Sequence, residues 1–503
     1  MTLVVVAMGV IMVGIDGSVV AVANPYIGRG LHASLADLQW VTNAYLLVIA
    51  VALILGGKLG DHFGRRRVFL IGVIGFSAAS LAIGLVGTID GVILLRGVQG
   101  AFGALLLPNT LALLRAAYPP EELNRAVGIW VSASATATAA GPIVGGLFVE
   151  HISWESVFFI NVPVGIATVV LGMFVLLESR ESERHSFDIP GVVTLALGLL
   201  AVVYALVKAQ SWGWGSTRTI GLIALGLVLL LVFAVVEHKT THALVPLGIF
   251  RDRSVSLSVI VVLLNFFALF GVLFFVGLYL QSVHGYSPVA AGVRLLPLTI
   301  TFALSSNLGA RLTNRFGPWL PITIGLVATA VALLSLTTLQ VDSPYIHLWP
   351  PFILIGLGIG LVVTAATDAI VGNTPVDDAG VAAGIQGTAI QLGGVLGTAV
   401  CGSILGAKVA SVLLGDLLSA GVPSAAAYRL IHATAVVSQG LAPISGSESH
   451  PLADAITRGS HAAFMEGLHL TMLVAGVVAL IGAVMGPFIR RGTGQVGLEG
   501  PVL

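Results

Sequence analysis

Charge is what this sequence has least of. Only 9% of its 503 residues are Asp, Glu, Lys or Arg, while 57% are hydrophobic and the mean hydropathy is +1.02. Soluble domains carry about 25% charged residues, so a soluble globular fold is excluded and an all-α polytopic membrane protein is predicted. The 23 basic and 23 acidic residues cancel, which leaves no global attraction for nucleic acid or acidic ligands. A single cysteine, Cys401, excludes an intramolecular disulfide and a multi-cysteine metal site, and it reads as ordinary helix packing. The 12 histidines lie in loops and helix ends without metal-ligand spacing, and HExxH, phosphate-cradling glycine loops and nucleophile elbows are missing. No metal, no cofactor and no enzymatic chemistry are expected.

What is present is apolar runs. A helix needs about 20 mostly apolar residues to cross about 30 Å of hydrocarbon. Fourteen runs qualify: 3–25, 39–60, 67–88, 91–116, 125–149, 156–177, 189–210, 219–237, 255–280, 289–311, 319–339, 347–371, 380–411 and 464–489. Ala21 to Ala23 resembles a signal-peptide cleavage site, but no basic stretch precedes the first run, which reads as a transmembrane helix continuing through Asp16. An even number of spans puts both termini on one side, and cytoplasmic loops collect Lys and Arg. With the termini inside, fifteen basic residues are internal (Lys58, Arg65, Arg66, Arg67, Arg115, Arg125, Arg180, Arg184, Lys239, Arg251, Arg253, Arg311, Arg315, Arg490 and Arg491) against five external ones. Both termini are therefore predicted cytoplasmic, with a long external loop at about 414–463.

The chain repeats itself. "KLGDHFG" at 58–64 aligns with "RLTNRFG" at 311–317, offset 253, and "AVGI" at 126–129 aligns with "AAGI" at 382–385, offset 256, which also sets Ala137 and Gly141 on Gly393 and Gly397. Two matches at nearly one offset on spans of the same direction indicate a parallel duplication. The expected organisation is a six-helix bundle over 1–185, two inserted helices over 186–250 and a second six-helix bundle over 251–503.

Three motifs stand out in the first half. "GKLGDHFGRRR" at 57–67 follows the second span: Gly57 and Gly64 permit close approach and a tight turn, Asp61 can face a helix dipole, and Arg65 and Arg66 hold the turn inside. "RGVQGAFGA" at 96–104 places Arg96 and Gln99 within the fourth span. "AGPIVGG" at 140–146 sets Pro142 among Gly141, Gly145 and Gly146, a small-residue face that suits close packing and, with the proline, a hinge.

In their order and placement these motifs, with "IDGSVVAVANP" in the first span and "FFINVPVG" at 158–165, resemble the major facilitator superfamily, in particular its fourteen-span drug:proton antiporters. The later "YLQSVHGYSPVAAG" at 279–292 and "AGVAAGIQGTAIQLGGVLGTAV" at 379–400 look like the same branch. The resemblance implies a proton-driven exporter of small amphipathic organic compounds, a monomer in the cell membrane working by alternating access. The glycine-proline motif of the fifth span is associated there with export; the alternative is an importer of a small metabolite on the same fold. This chain departs from the family pattern at Ser18, Ala21, Asn24 and Ala137, and Asp61 becomes Asn314 in the second half, so the halves are expected to be electrostatically unequal.

Asp16 and Arg96 are the leading candidates for proton coupling. At 1.5 Å per residue Asp16 lies about 20 Å from the inner edge and Arg96 about 8 to 9 Å from the outer one, so in a core about 30 Å thick the two depths nearly coincide. They form either a coupling pair or a static ion pair, and burial and pairing act in opposite directions on the acid's protonation. Asp368, at the inner end of the twelfth span, is either a second coupling acid or a helix end reaching water. Tyr45, Gln99, Asn161, Asn265 and Gln391 are candidates for the substrate cavity, Asn265 equally for a bond to a neighbouring helix. The orientation is checked with reporters: one fused after Arg491 should be active only as a cytoplasmic fusion and one inserted near Ser447 only as an external one, and reversal at either site overturns it.

Overall fold

Long apolar runs cannot leave backbone polar groups unpaired in lipid, and helices satisfy those groups within the run itself. The computed structural model describes residues 1–179, 188–240, 245, 247–374, 379–444 and 448–491; Arg180, Arg184 and Ser447 lie outside the described residues. Among those described, fourteen helical segments are long and apolar enough to cross a membrane, and no strand occurs.

The first half comprises α1 (Thr2–Gly30), α2 (Leu35–Phe63), α3 (Arg65–Leu85), α4 (Ile89–Ala117), α5 (Pro120–His151), a short α6 (Ser156–Phe159) and α7 (Asn161–Val175). Two further helices follow, α8 (Ile189–Trp212) and α9 (Thr217–Lys239). The second half comprises α10 (Arg253–Leu278), α11 (Pro288–Arg294), α12 (Leu296–Phe316), α13 (Trp319–Leu336), α14 (Trp349–Gly372) and α15 (Ala379–Ser419), then α16 (Ser424–Leu430), α17 (Thr434–Val437) and α18 (His450–Met485). Polar residues start several of these helices. Ser34 and Asp37 exchange bonds in a reciprocal cap on α2, and Asp188, Ser216 and Asp252 cap α8, α9 and α10.

The duplication is visible in the packing. α1 packs on α5 and α2 on α4; in the second half α10 packs on α15 and α12 on α14. Small residues make both sets of approaches. Ala137 faces Gly14 and Gly141 faces Ser18, while at offset 256 Gly393 and Gly397 lie against the backbone of Leu263 and Phe267. Cys401 is buried against Gly271. α8 and α9 pack on each other, and α8 also touches α2 and α15.

The halves meet along α2 and α15 and, at the end remote from the 58–67 turn, along α5 and α11. There Gly146 meets Pro288 and Val289, Gly292 meets the Pro142 carbonyl, and the Val289 N–H donates to Glu150 Oε2 at 3.0 Å. The glycine-proline segment thus serves two neighbours: Gly141 and Gly145 face α1, whereas Pro142 and Gly146 face the other half.

Three boundaries differ from expectation. The sixth span is divided at Ile160 and the tenth at Leu295. The stretch expected to be a long loop at about 414–463 is largely helical, because α15 runs on to Ser419 and α18 begins at His450. Hydropathy falls at Lys408, Asp416 and Arg458 while the helices continue, held by a 2.8 Å ion pair between Lys408 and Glu466 and by Gly459 seated on Leu417.

Beyond α10, a π-helical turn at Tyr279–Val283 leads to His284. The Tyr279 hydroxyl donates to the Gln340 carbonyl at 2.7 Å, so in its 2.9 Å contact with that hydroxyl His284 Nε2 is the donor, leaving Nδ1 to take a second proton. The ring stacks on Tyr286, over which the Arg294 guanidinium lies at 3.7 Å. Burial and then the Arg294 charge hold the imidazole below its ordinary 6.5, with Asp342 acting in the opposite sense. The folded chain therefore binds fewer protons here than the unfolded chain. The stability contribution is complete above pH 6.5 and is lost as the pH falls through the folded value. His284→Gln should flatten this acid-side loss in thermal unfolding; an unchanged slope would assign the loss to another group.

Candidate functional site

The charged centre of the first half is assembled from five helices. Asp16 on α1 and Arg96 on α4 are 0% and 1% exposed, and Arg96 Nη1 lies 2.6 Å from Asp16 Oδ2. Three residues along α4 is one step on the same helical face, and there Gln99 turns to the same carboxylate. Its Nε2 donates to Asp16 Oδ1 at 2.8 Å and to Ser80 Oγ of α3 at 2.6 Å, while its Oε1 accepts from Arg96 Nη1 at 2.6 Å. Asn161 opens α7 at the break after Ile160, and its Nδ2 donates to Asp16 Oδ1 at 3.1 Å and to Ser80 Oγ at 3.2 Å. Arg96 Nε donates to the Val41 carbonyl of α2 at 3.1 Å, and the Tyr45 ring covers the guanidinium at 4.0 Å.

Both carboxylate oxygens thus receive donors, which replace the water that an ionised acid loses on burial. Changing the charge of Asp16 must disturb Arg96, Gln99 and Asn161 together, and these belong to two other helices.

Asp16 and Arg96, expected at nearly one depth, are in direct contact. Gln99, Asn161 and Tyr45, expected to line a substrate cavity, are instead buried in the shell of this ion pair. Ser80 was missed, because a serine in an apolar span carries no signal of its own. Asp368 is remote from this centre: its side chain is 29% exposed and lies 4.0 Å from Arg491 Nε, while Arg491 Nη2 reaches Asn314 Oδ1 at 3.4 Å. Asn265 is buried on α10 with neither amide atom hydrogen-bonded, and Gln391 is half-buried on α15. Also missed were contacts across the halves: Gln39 Nε2 donates to the Thr398 carbonyl at 2.6 Å, and Thr398 bonds Asn43.

The 57–67 turn pairs Asp61 with the first residue of α3. Asp61 lies in the last turn of α2 and Arg65 starts α3, each at the unfavourable end of its own helix dipole. They neutralise one another at 2.7 Å. Gly64 has φ +107, a conformation that favours glycine. Glu178, not singled out from sequence, accepts from the Arg66 N–H at 3.1 Å and lies 3.6 Å from Arg67 Nε, while Arg66 Nη2 donates to the Met173 carbonyl at 2.5 Å. Gly57 faces Pro108. The turn is thereby strapped to the end of α7.

Leaving one partner of a buried pair uncompensated costs about 3–5 kcal/mol, whereas neutralising both is far cheaper. Arg96→Ala should therefore destabilise the protein by about that amount, and the double variant Asp16→Asn, Arg96→Gln should be the more stable of the two in thermal unfolding. A double variant less stable than Arg96→Ala would show that charge compensation is not what holds these helices.

Comparison with known proteins agrees with this architecture. The family model for the Major Facilitator Superfamily matches residues 6–398. A tetracenomycin C resistance and export protein of Streptomyces glaucescens is 44% identical over 97% of this chain and 91% of its own length. A puromycin resistance protein of Streptomyces alboniger is 37% identical over 82% of each chain, and a multidrug efflux pump of Mycolicibacterium smegmatis is 30% identical over 97% and 96%. Among solved structures, a bacterial homologue of the human lysosomal transporter Spinster superposes with a TM-score of 0.63 at 16% identity, covering 98% of both chains, a likeness of fold alone. By the family match and by these relatives, the chain belongs to the Major Facilitator Superfamily.

Proposed function

We propose that this protein exports small amphipathic organic compounds, antibiotics among them, in exchange for protons. The observation that carries the reading is the occluded Asp16–Arg96 pair with its shell of Gln99, Asn161 and Ser80: a carboxylate whose donors lie on several helices ties its charge state to their arrangement. The relatives named for tetracenomycin C, puromycin and multidrug efflux support outward transport of such compounds. An importer on the same fold has less support, since those relatives are named for resistance and export.

In this reading the bundles 1–185 and 251–503 rock about the α2–α15 and α5–α11 contacts, with 186–250 as an insertion. The glycine-proline face of α5 is the hinge surface, and Asp61 with Arg65 steadies the turn between α2 and α3. The protein acts as a monomer in the cytoplasmic membrane, both termini inside, driven by the proton gradient without a cofactor. Asn265 and Gln391 are candidates for substrate contact, and Asp368 for gating at the cytoplasmic edge.

Position 269, at offset 253 from Asp16, is leucine, so no symmetric carboxylate can substitute. Asp16→Asn should abolish substrate-induced proton movement and uphill export in inverted vesicles while leaving substrate binding measurable. Arg96→Ala should be similarly inactive. Export against a gradient with intact proton exchange in Asp16→Asn would make Asp16 structural and direct the search for the coupling acid to Asp368.

A further inference from the structure

A second pair of buried carboxyl groups lies outside the Asp16 centre, where α8 begins and α9 ends. Asp188 caps α8 and is 6% exposed; Glu237 sits in the last turn of α9 and is 3% exposed. Each uses one oxygen on a backbone N–H: Asp188 Oδ1 accepts from Gly191 at 2.9 Å and Glu237 Oε2 from Val245 at 3.1 Å. The other two oxygens, Asp188 Oδ2 and Glu237 Oε1, are buried with no donor. They converge on one point, since a methyl group on Gly191 would overlap Asp188 Oδ2 and lie 2.8 Å from Glu237 Oε1. The two side chains are within hydrogen-bonding reach of each other.

Two carboxylate oxygens cannot satisfy each other, because both only accept. A proton between them turns one into a donor and satisfies both, and it removes the repulsion of adjacent like charges. The helix dipoles say which residue carries it. The amino end of α8 favours charge on Asp188, and the carboxyl end of α9 disfavours it on Glu237. Lys58 of the 57–67 motif lies within electrostatic reach of both acids and offsets the one remaining negative charge.

We propose that Asp188 and Glu237 form a second proton-binding site, with Glu237 Oε1 carrying the proton and donating it in a hydrogen bond to Asp188 Oδ2. Among the described residues the charged groups facing the pair are those two acids and Lys58. Loss of the proton leaves two adjacent negative charges and two oxygens again without donors, which loosens α8 from α9. The site therefore makes the inserted pair of helices sensitive to rising pH at the end of the molecule that carries the 57–67 turn, whatever the direction of transport.

Infrared difference spectra of the reconstituted protein between acidic and alkaline buffer test this. A protonated-carboxyl band should be present in the wild type and in Asp16→Asn, and absent in both Asp188→Asn and Glu237→Gln. Glu237→Gln supplies a permanent amide donor to Asp188 and keeps an oxygen for the Val245 N–H, so it should fold and should lose the destabilisation that the wild type shows in thermal unfolding as the pH is raised. Lys58→Met, which removes the offsetting charge, should move loss of the band to higher pH. The proposal is overturned if Asp188→Asn and Glu237→Gln keep every carboxyl component of the wild type, or if only Asp16→Asn loses one.

Discussion

A carboxylate placed between helices in hydrocarbon has to be supplied with donors by the protein itself, and the first half is organised around that need. Asp16 is served by Arg96 and Gln99 from α4 and by Asn161 from α7, with Ser80 of α3 joining the two amides and the Tyr45 ring of α2 covering the guanidinium. Such bonds have short reach, so the helices must approach closely. Gly100 of α4 lies against the backbone of Tyr45, Gly56 of α2 lies against that of Ala104, and Gly141 and Gly145 bring α5 onto α1. Glycine weakens an isolated helix; here it permits the distances that the ion pair requires.

The second half keeps the frame without the charge. Gly356 and Gly360 of α14 approach the backbone of Leu298 and Phe302 in α12, much as Gly56 of α2 approaches that of Ala104 in α4. Yet Leu269 stands at one offset from Asp16, and Asn314 stands where the first half has Asp61. Duplication has preserved backbone approach while side-chain chemistry diverged. Asn314 is reached by Arg491, which also lies beside Asp368, so the counterpart of the 57–67 turn is linked to the segment after the last helix rather than to a partner four residues away.

Legibility in the sequence followed the range of the physics. Span number came from apolar length, and the meeting of Asp16 with Arg96 came from counting residues along two helices of opposite direction, since rise per residue is constant. The offset of 256 set Ala137 and Gly141 on Gly393 and Gly397, and these small residues make the α1–α5 and α10–α15 approaches, whose partner helices the sequence did not name. Hidden were groups whose partner is set by tertiary structure alone: Ser80, Glu178 at 112 residues from Arg66, and Gln39 with its bond to Thr398. Which way Gln99 and Asn161 turn is not readable from position along a span, and both turn to the Asp16 carboxylate. The ends of α15 and α18 were misplaced because hydropathy records where lipid stops and says nothing about where a helix stops.

α15 has 41 residues, about 60 Å at 1.5 Å per residue, roughly twice the hydrocarbon thickness. Joined to α18 by Lys408 and Glu466, it makes a stiff arm fixed to the second half. Beyond the arm, Gln439 donates to the Ala33 carbonyl at 3.0 Å and lies beside Gly28, both in the first half. Displacement in a rotating arm grows with distance from the pivot. A tilt small enough to be absorbed by sliding side chains near the pivot would be a larger separation at Gln439.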